Sequence, residues 1–76
     1  MPTLTNINPA QNMYRFYTVR VSRNLFGQWS LLREWGRIGS PGTVRCETFD
    51  GESQAREAER RSLRLRERHG YQLVRE

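Results

Sequence analysis

The sequence predicts an α+β domain: an antiparallel β-sheet of three to five strands with one C-terminal helix packed across it. Three observations lead there. Aromatic and β-branched residues alternate with polar ones in Tyr14–Val21, and an extended pattern resumes in Trp29–Ile38. Short clusters of turn residues separate these runs, as hairpins require. Helical signals are confined to the residues after Asp50, so strands precede a single helix, an order typical of α+β structures.

The elements follow in chain order. Residues 1–11 contain Pro2 and Pro9 with isolated Leu4 and Ile7, which reads as an extended N-terminal arm without regular structure, leaving 12–76 as a single domain. Tyr14–Val21 is a strand with Tyr17, Val19 and Val21 on one face and Tyr14, Phe16, Thr18 and Arg20 on the other. Ser22–Gln28 turns the chain, with Leu25 and Phe26 expected to fold over the sheet end as a lid rather than to stand out as an exposed anchor. Trp29–Ile38 is the next strand. Gly39-Ser40-Pro41-Gly42 suits a turn with Pro41 second and Gly42 third, where positive φ is required, and Thr43–Phe49 returns as the hairpin partner. Asp50 is a candidate N-cap for a helix from about Glu52 to His69, with Gly70 as its stop. Acids at its start, Arg66 and Arg68 at its end, and the pairs Glu52/Arg56 and Glu57/Arg61 support it. Its apolar stripe is Ala55, Ala58, Leu65 and, at the margin, Leu63, with Ser62 near the middle. Tyr71–Val74 either adds a short last strand or packs the chain end.

Composition bounds the function. The chain has 76 residues, 36% apolar and 28% charged, which suits one small soluble domain. A domain this size buries only about 60% of its unfolded surface, so its core is thin. No apolar run approaches the roughly 18 residues of a membrane span, and the N-terminal residues lack a secretory pattern, so a cytoplasmic protein without a membrane partner is expected. Cys46 is the only cysteine, which excludes an internal disulfide and a cysteine-based zinc cage. All 13 basic residues are arginine against 8 acids, a net charge of +5, and guanidinium forks suit phosphate.

Catalysis has little to draw on. His69 is the only histidine and sits beside the helix stop, Cys46 has no histidine partner and reads as a small core residue, and the acids alternate with arginines as ion-paired surfaces do. No phosphate loop, dinucleotide fingerprint or metal-ligand spacing occurs. Neither a catalytic residue, a cofactor, a metal nor a small-molecule substrate is expected.

The informative stretch is Arg33-Glu34-Trp35-Gly36-Arg37-Ile38-Gly39. Strand alternation puts Trp29, Leu31, Arg33, Trp35 and Arg37 on one side, interleaving rings and guanidinium groups. Such a surface binds phosphate oxygens and stacks on sugar or base. The same stripe also suits a plain core of Trp29, Leu31 and Trp35 with arginine stems reaching to water. Gly36 permits a bulge or a close backbone approach. The arginines of the helix read as a solvated face more readily than as a nucleic-acid track.

Around Trp35-Gly36-Arg37 the chain resembles a WGR domain, of the small stand-alone bacterial type related to the WGR module of DNA-damage-activated poly(ADP-ribose) polymerases. The resemblance runs from about Ile7 to Tyr71. It rests on Asn12-Met13-Tyr14-Arg15-Phe16-Tyr17, Leu25-Phe26-Gly27, Trp29-Ser30-Leu31, Glu34 through Gly39, Gly42, Phe49, Ala55 and Gly70-Tyr71. It implies an antiparallel sheet crossed by one helix. In the polymerases the module touches DNA at a strand break, near the 5′-phosphorylated end, and relays binding to the catalytic part. Trp35 and Arg37 thereby inherit contact with sugar and backbone at a DNA end, Gly36 the close approach, and Asn12 a place in the same site. Arg66 takes a helix position that is commonly basic. Glu59 and Ser62 depart from the pattern, standing where many members have apolar residues.

The expected function is thus a nonenzymatic DNA-binding module that prefers duplex ends or nicks through phosphate contacts, with Trp35, Gly36, Arg37, Arg33 and Asn12 as its nucleic-acid-binding residues. The alternatives are a protein–protein interaction module and a binder of single-stranded nucleic acid or RNA. A monomer is expected.

Overall fold

A computed structural model describes residues 3–74. Met1 and Pro2 of the expected arm, and Arg75 and Glu76 at the other end of the expected domain, lie outside the described residues. The elements are β1 (Thr3–Asn8), a 3-10 turn (Pro9–Gln11), β2 (Met13–Arg23), β3 (Trp29–Arg37), β4 (Thr43–Phe49), α1 (Glu52–Arg68) and β5 (Gln72–Leu73). The strands form one antiparallel five-stranded sheet in the order β4-β3-β2-β1-β5. The helix contacts β2, β3 and β4. No helix among the described residues is long and apolar enough to cross a membrane.

The stretch read as an arm without regular structure is a strand. Leu4 is fully buried opposite Tyr17 on one side and Leu73 on the other, so its backbone is paired along both edges. One buried leucine and two flanking ladders hold a segment whose apolar residues are too sparse to show a period.

The core is small. Leu4, Tyr17, Val19, Leu31 and Tyr71 form it, with Val21, Trp35, Phe49, Ala58 and Leu63 packed at its margin. Tyr17 and Val19 face inward together, as alternation requires. Ala55 is fully buried on the sheet-facing side of the helix, and the Tyr17 hydroxyl hydrogen-bonds the Ser62 hydroxyl, so the polar residue in the middle of the helix is satisfied by the sheet. Leu63 joins the core margin, while Leu65 is half exposed, the reverse of the order expected from the helical stripe.

Local differences have local causes. The N-cap is Gly51 rather than Asp50: its backbone is extended, its carbonyl accepts from Ala55 N–H at 3.3 Å, and its own N–H donates to Gln54 Oε1 at 3.4 Å. Both expected helix pairs form, Glu52 with Arg56 at 3.8 Å and Glu57 with Arg61 at 3.9 Å. At the other end, Gly70 at φ 90° lets its N–H reach the Glu67 carbonyl and the Tyr71 N–H reach that of Arg66, both at 3.1 Å, a Schellman stop that swings Tyr71 into the core. The β3–β4 turn comes two residues early: Ser40 N–H bonds the Arg37 carbonyl at 3.0 Å, and β3 ends at Arg37 rather than Ile38.

Two side-chain expectations are corrected. Cys46 is exposed on β4, because the helix covers one face of the sheet and Cys46 alternates onto the other. Leu25 and Phe26 are also exposed and cover nothing. Asn24 Oδ1 accepts from Phe26 N–H and Gln28 N–H, both at 2.9 Å, which ties the turn into its own tight loop and holds those two side chains out in solvent.

Candidate nucleic-acid interface

At the end of the sheet where β3 turns towards β4, the start of β2, the end of β3 and one edge of the helix enclose a cleft of about 550 Å³. The 3-10 turn leads into Asn12, whose φ of 52° is left-handed, a conformation asparagine tolerates better than most residues. Asn12 N–H closes that turn on the Pro9 carbonyl at 3.0 Å. So fixed, Asn12 presents two acceptors to one guanidinium: Arg37 donates to the Asn12 carbonyl and to its Oδ1, each at 3.3 Å, and lies over the Tyr14 ring 5.2 Å from its centroid. The remaining N–H groups of Arg37 stay available to an outside acceptor.

The charge of the cleft has one sign. Among the described residues, Arg15, Arg37 and Arg66 line it and no acidic residue does. Arg15 and Arg37 stand directly opposite each other across the β2–β3 ladder, an arrangement that is unfavourable until an anion lies between or above them. Arg66 is stacked on Tyr17 at 4.5 Å and Tyr71 at 5.6 Å, so its position is set by the core. Trp35 is half-buried and belongs to both readings of its stripe: its ring meets Tyr17 at 6.5 Å between centroids, and it also lines the cleft.

Gly36 accounts for the shape of the rim. A Cβ built on it would lie 2.8 Å from Gly42 Cα, and one built on Gly42 would lie 2.6 Å from the Trp35 carbonyl oxygen. Two glycines facing each other thus let the β3–β4 connection fold back against Trp35-Gly36-Arg37.

Of the five residues expected from the sequence, Asn12, Trp35, Gly36 and Arg37 come together here and Arg33 does not. Arg33 faces a separate groove between β3, β4 and the helix, where it is ion-paired with Glu47. The cleft also contains Tyr14, Arg15, Arg66 and Tyr71. Arg15, two residues before Tyr17, shares its face by strand alternation; that it opposes Arg37 depends on the register, which no local pattern specifies.

A family model described as "WGR domain" matches residues 2–76. The chain belongs to the WGR domain family. The observed sheet with its single crossing helix agrees with the fold that resemblance implied, and a WGR domain is a non-catalytic module that binds nucleic acid in the poly(ADP-ribose) polymerases. A relative in Sinorhizobium fredii (strain NBRC 101917 / NGR234), the uncharacterized protein y4dW, is 38% identical over 65 residues. The match covers 86% of this chain and 32% of the relative, so this WGR chain spans about a third of the length of the curated protein it resembles. No solved structure matches the chain.

Proposed function

We propose that this WGR domain is a nonenzymatic DNA-binding module that takes the phosphate-bearing end of a duplex, or the equivalent end at a nick, in the cleft between Asn12 and Arg37. The observation that carries the reading is a cleft lined, among the described residues, by three arginines and no carboxylate, with the half-buried face of Trp35 beside them. Arg37, braced by Asn12 and Tyr14, donates to phosphate oxygens in charge-assisted hydrogen bonds. Arg15 and Arg66 neutralise the rest of the charge, and Trp35 packs on the terminal sugar. Gly36 keeps the backbone low enough for the strand end to come close. Arg33, held by Glu47 in the other groove, takes at most a secondary backbone contact in this arrangement.

Phosphate contacts made without a groove-reading helix give little base preference. The test is a titration with duplexes that are 5′-phosphorylated or 5′-hydroxyl, at several salt concentrations. A site of this size neutralises about 3 to 5 phosphates, so the log–log salt slope should be roughly −3 to −4.5, with tighter binding to the phosphorylated end. A flat salt response, or equal affinity for both ends, refutes the proposal.

A further inference from the structure

At the sheet edge away from β5, strand β4 has only one neighbour, β3, among the described residues. It is seven residues long, contains neither proline nor glycine, and Thr43 through Cys46 are all exposed. An edge of that length with free N–H and C=O groups is a template for another strand unless something protects it. Its charges are also unbalanced. Arg45 stands opposite Arg33 across the β3–β4 ladder, while Glu47 is ion-paired with Arg33, so Arg45 has no carboxylate partner among the described residues.

The strand is complementary to itself. When β4 is laid antiparallel on a second β4 about a twofold axis through Cys46, Arg45 falls opposite Glu47 of the second copy, and Glu47 opposite its Arg45. Val44 meets Thr48, and Thr43 meets Phe49. Moving the axis to Arg45 or to Glu47 puts two like charges face to face at the centre, so the charge pattern selects one register. We propose that this edge is an interface for a second copy of the chain, joining two five-stranded sheets through β4 with Cys46 at the dyad. The contact is isologous and closes on itself, ending growth at two copies. An axis normal to the sheet keeps both helices on one face. The two β3 strands are then about 14 Å apart, three strand spacings of about 4.8 Å, which exceeds the roughly 8–10 Å at which helices touch. Where each helix reaches β4 it does so just after Phe49, and the twofold sets Phe49 opposite Thr43 of the other copy, so the two helix starts lie at opposite ends of the shared edge.

Arg45→Glu isolates the claim. In one copy the new carboxylate stands opposite Arg33, which leaves the fold intact; across the dyad it opposes Glu47. Sedimentation equilibrium on the full chain, spanning about 1 µM to 1 mM, should show a reversible dimer for the unaltered chain, a dissociation constant at least about tenfold weaker for Arg45→Glu, and near-unaltered dimerisation for Arg45→Lys. Thermal melting of Arg45→Glu at low concentration checks that its fold is kept. Mild oxidation with copper-phenanthroline should join the unaltered copies through Cys46, and should fail with Cys46→Ser. A monomer throughout the concentration range, a dimer indifferent to Arg45→Glu, or a dimer in which Cys46 does not cross-link overturns the proposal.

Discussion

Replacing Gly42 by alanine tests whether the rim of the cleft is set by backbone packing. Two costs are expected. Gly42 has φ 77°, and giving that conformation a Cβ costs about 1–2 kcal/mol. The added atom would also lie 2.6 Å from the Trp35 carbonyl oxygen and 2.9 Å from Phe16 Cζ. A backbone oxygen inside a paired strand cannot move aside as a side chain can, and overpacking of this kind costs a further ~1–3 kcal/mol. The sum is about 2–5 kcal/mol, a large part of the roughly 4–11 kcal/mol expected for a domain of this length. Gly39 supplies the control: its φ is 91°, but a Cβ there meets nothing within 4 Å, so Gly39→Ala should show the conformational cost alone. Urea unfolding of both variants, followed by tryptophan fluorescence, gives the difference directly. If Gly39→Ala and Gly42→Ala are equally destabilising, the close approach of the β3–β4 connection to Trp35 and Gly36 is not what holds the rim, and the reasoning fails.

Arg37→Ala should weaken binding to a 5′-phosphorylated duplex by about 1.5–3 kcal/mol, whereas Arg61→Ala, an exposed helix charge, should cost much less; equal losses in a titration would reduce the site to general basicity. Leu4→Ala should destabilise the fold by about 2–5 kcal/mol in denaturant unfolding, since the side chain is fully buried, and a neutral result would contradict the placement of β1 in the core. Glu57 should titrate below the usual glutamate value, because a hydrogen bond from Arg60 and then its charge, with Arg61 and Arg64 behind it, favour the carboxylate. A depressed folded value means a stabilising contribution present above the unfolded value and lost as pH falls through the folded one. Carbon-detected NMR should show the Glu57 midpoint rising in Arg60→Ala, and an unmoved midpoint would sink that assignment.

Much of the fold was legible because its strands follow the two-residue rule. Thr43–Phe49 has the expected bounds, and β2 and β3 differ from theirs only at the ends. β1 was not legible: Leu4 and Ile7 are three apart, which fits no strand face, and its stability comes from neighbours at positions 13–18 and 72–73. Cys46 and Leu65 were misjudged for a shared reason. Which face of a sheet is covered, and how a helix is rotated upon it, depend on packing between elements rather than on the period within one. The site divides similarly. Trp35, Gly36 and Arg37 were visible as a contiguous motif, whereas Arg15, Arg66 and Tyr71 join it only through register and the helix stop. Arg33 shares its strand face with Arg37, but Glu47 on the next strand draws it into another groove.

The pairing of β1 with β5 has a consequence for how the protein is made. Leu4 faces Leu73, and Val74 N–H bonds the Thr3 carbonyl at 2.8 Å, so neighbours in space are almost the whole chain apart in sequence. On a ribosome, β1 leaves the exit tunnel long before β5 and Tyr71 exist. Hairpins β1–β2, β2–β3 and β3–β4 can each form as they emerge, since their contacts are local. The outer edge of β1 has to wait, with its ladder groups turned to water, until residues 71–73 arrive. β5, only two residues long, therefore acts as a latch, and nascent chains that stall before residue 71 carry a sheet open on that side.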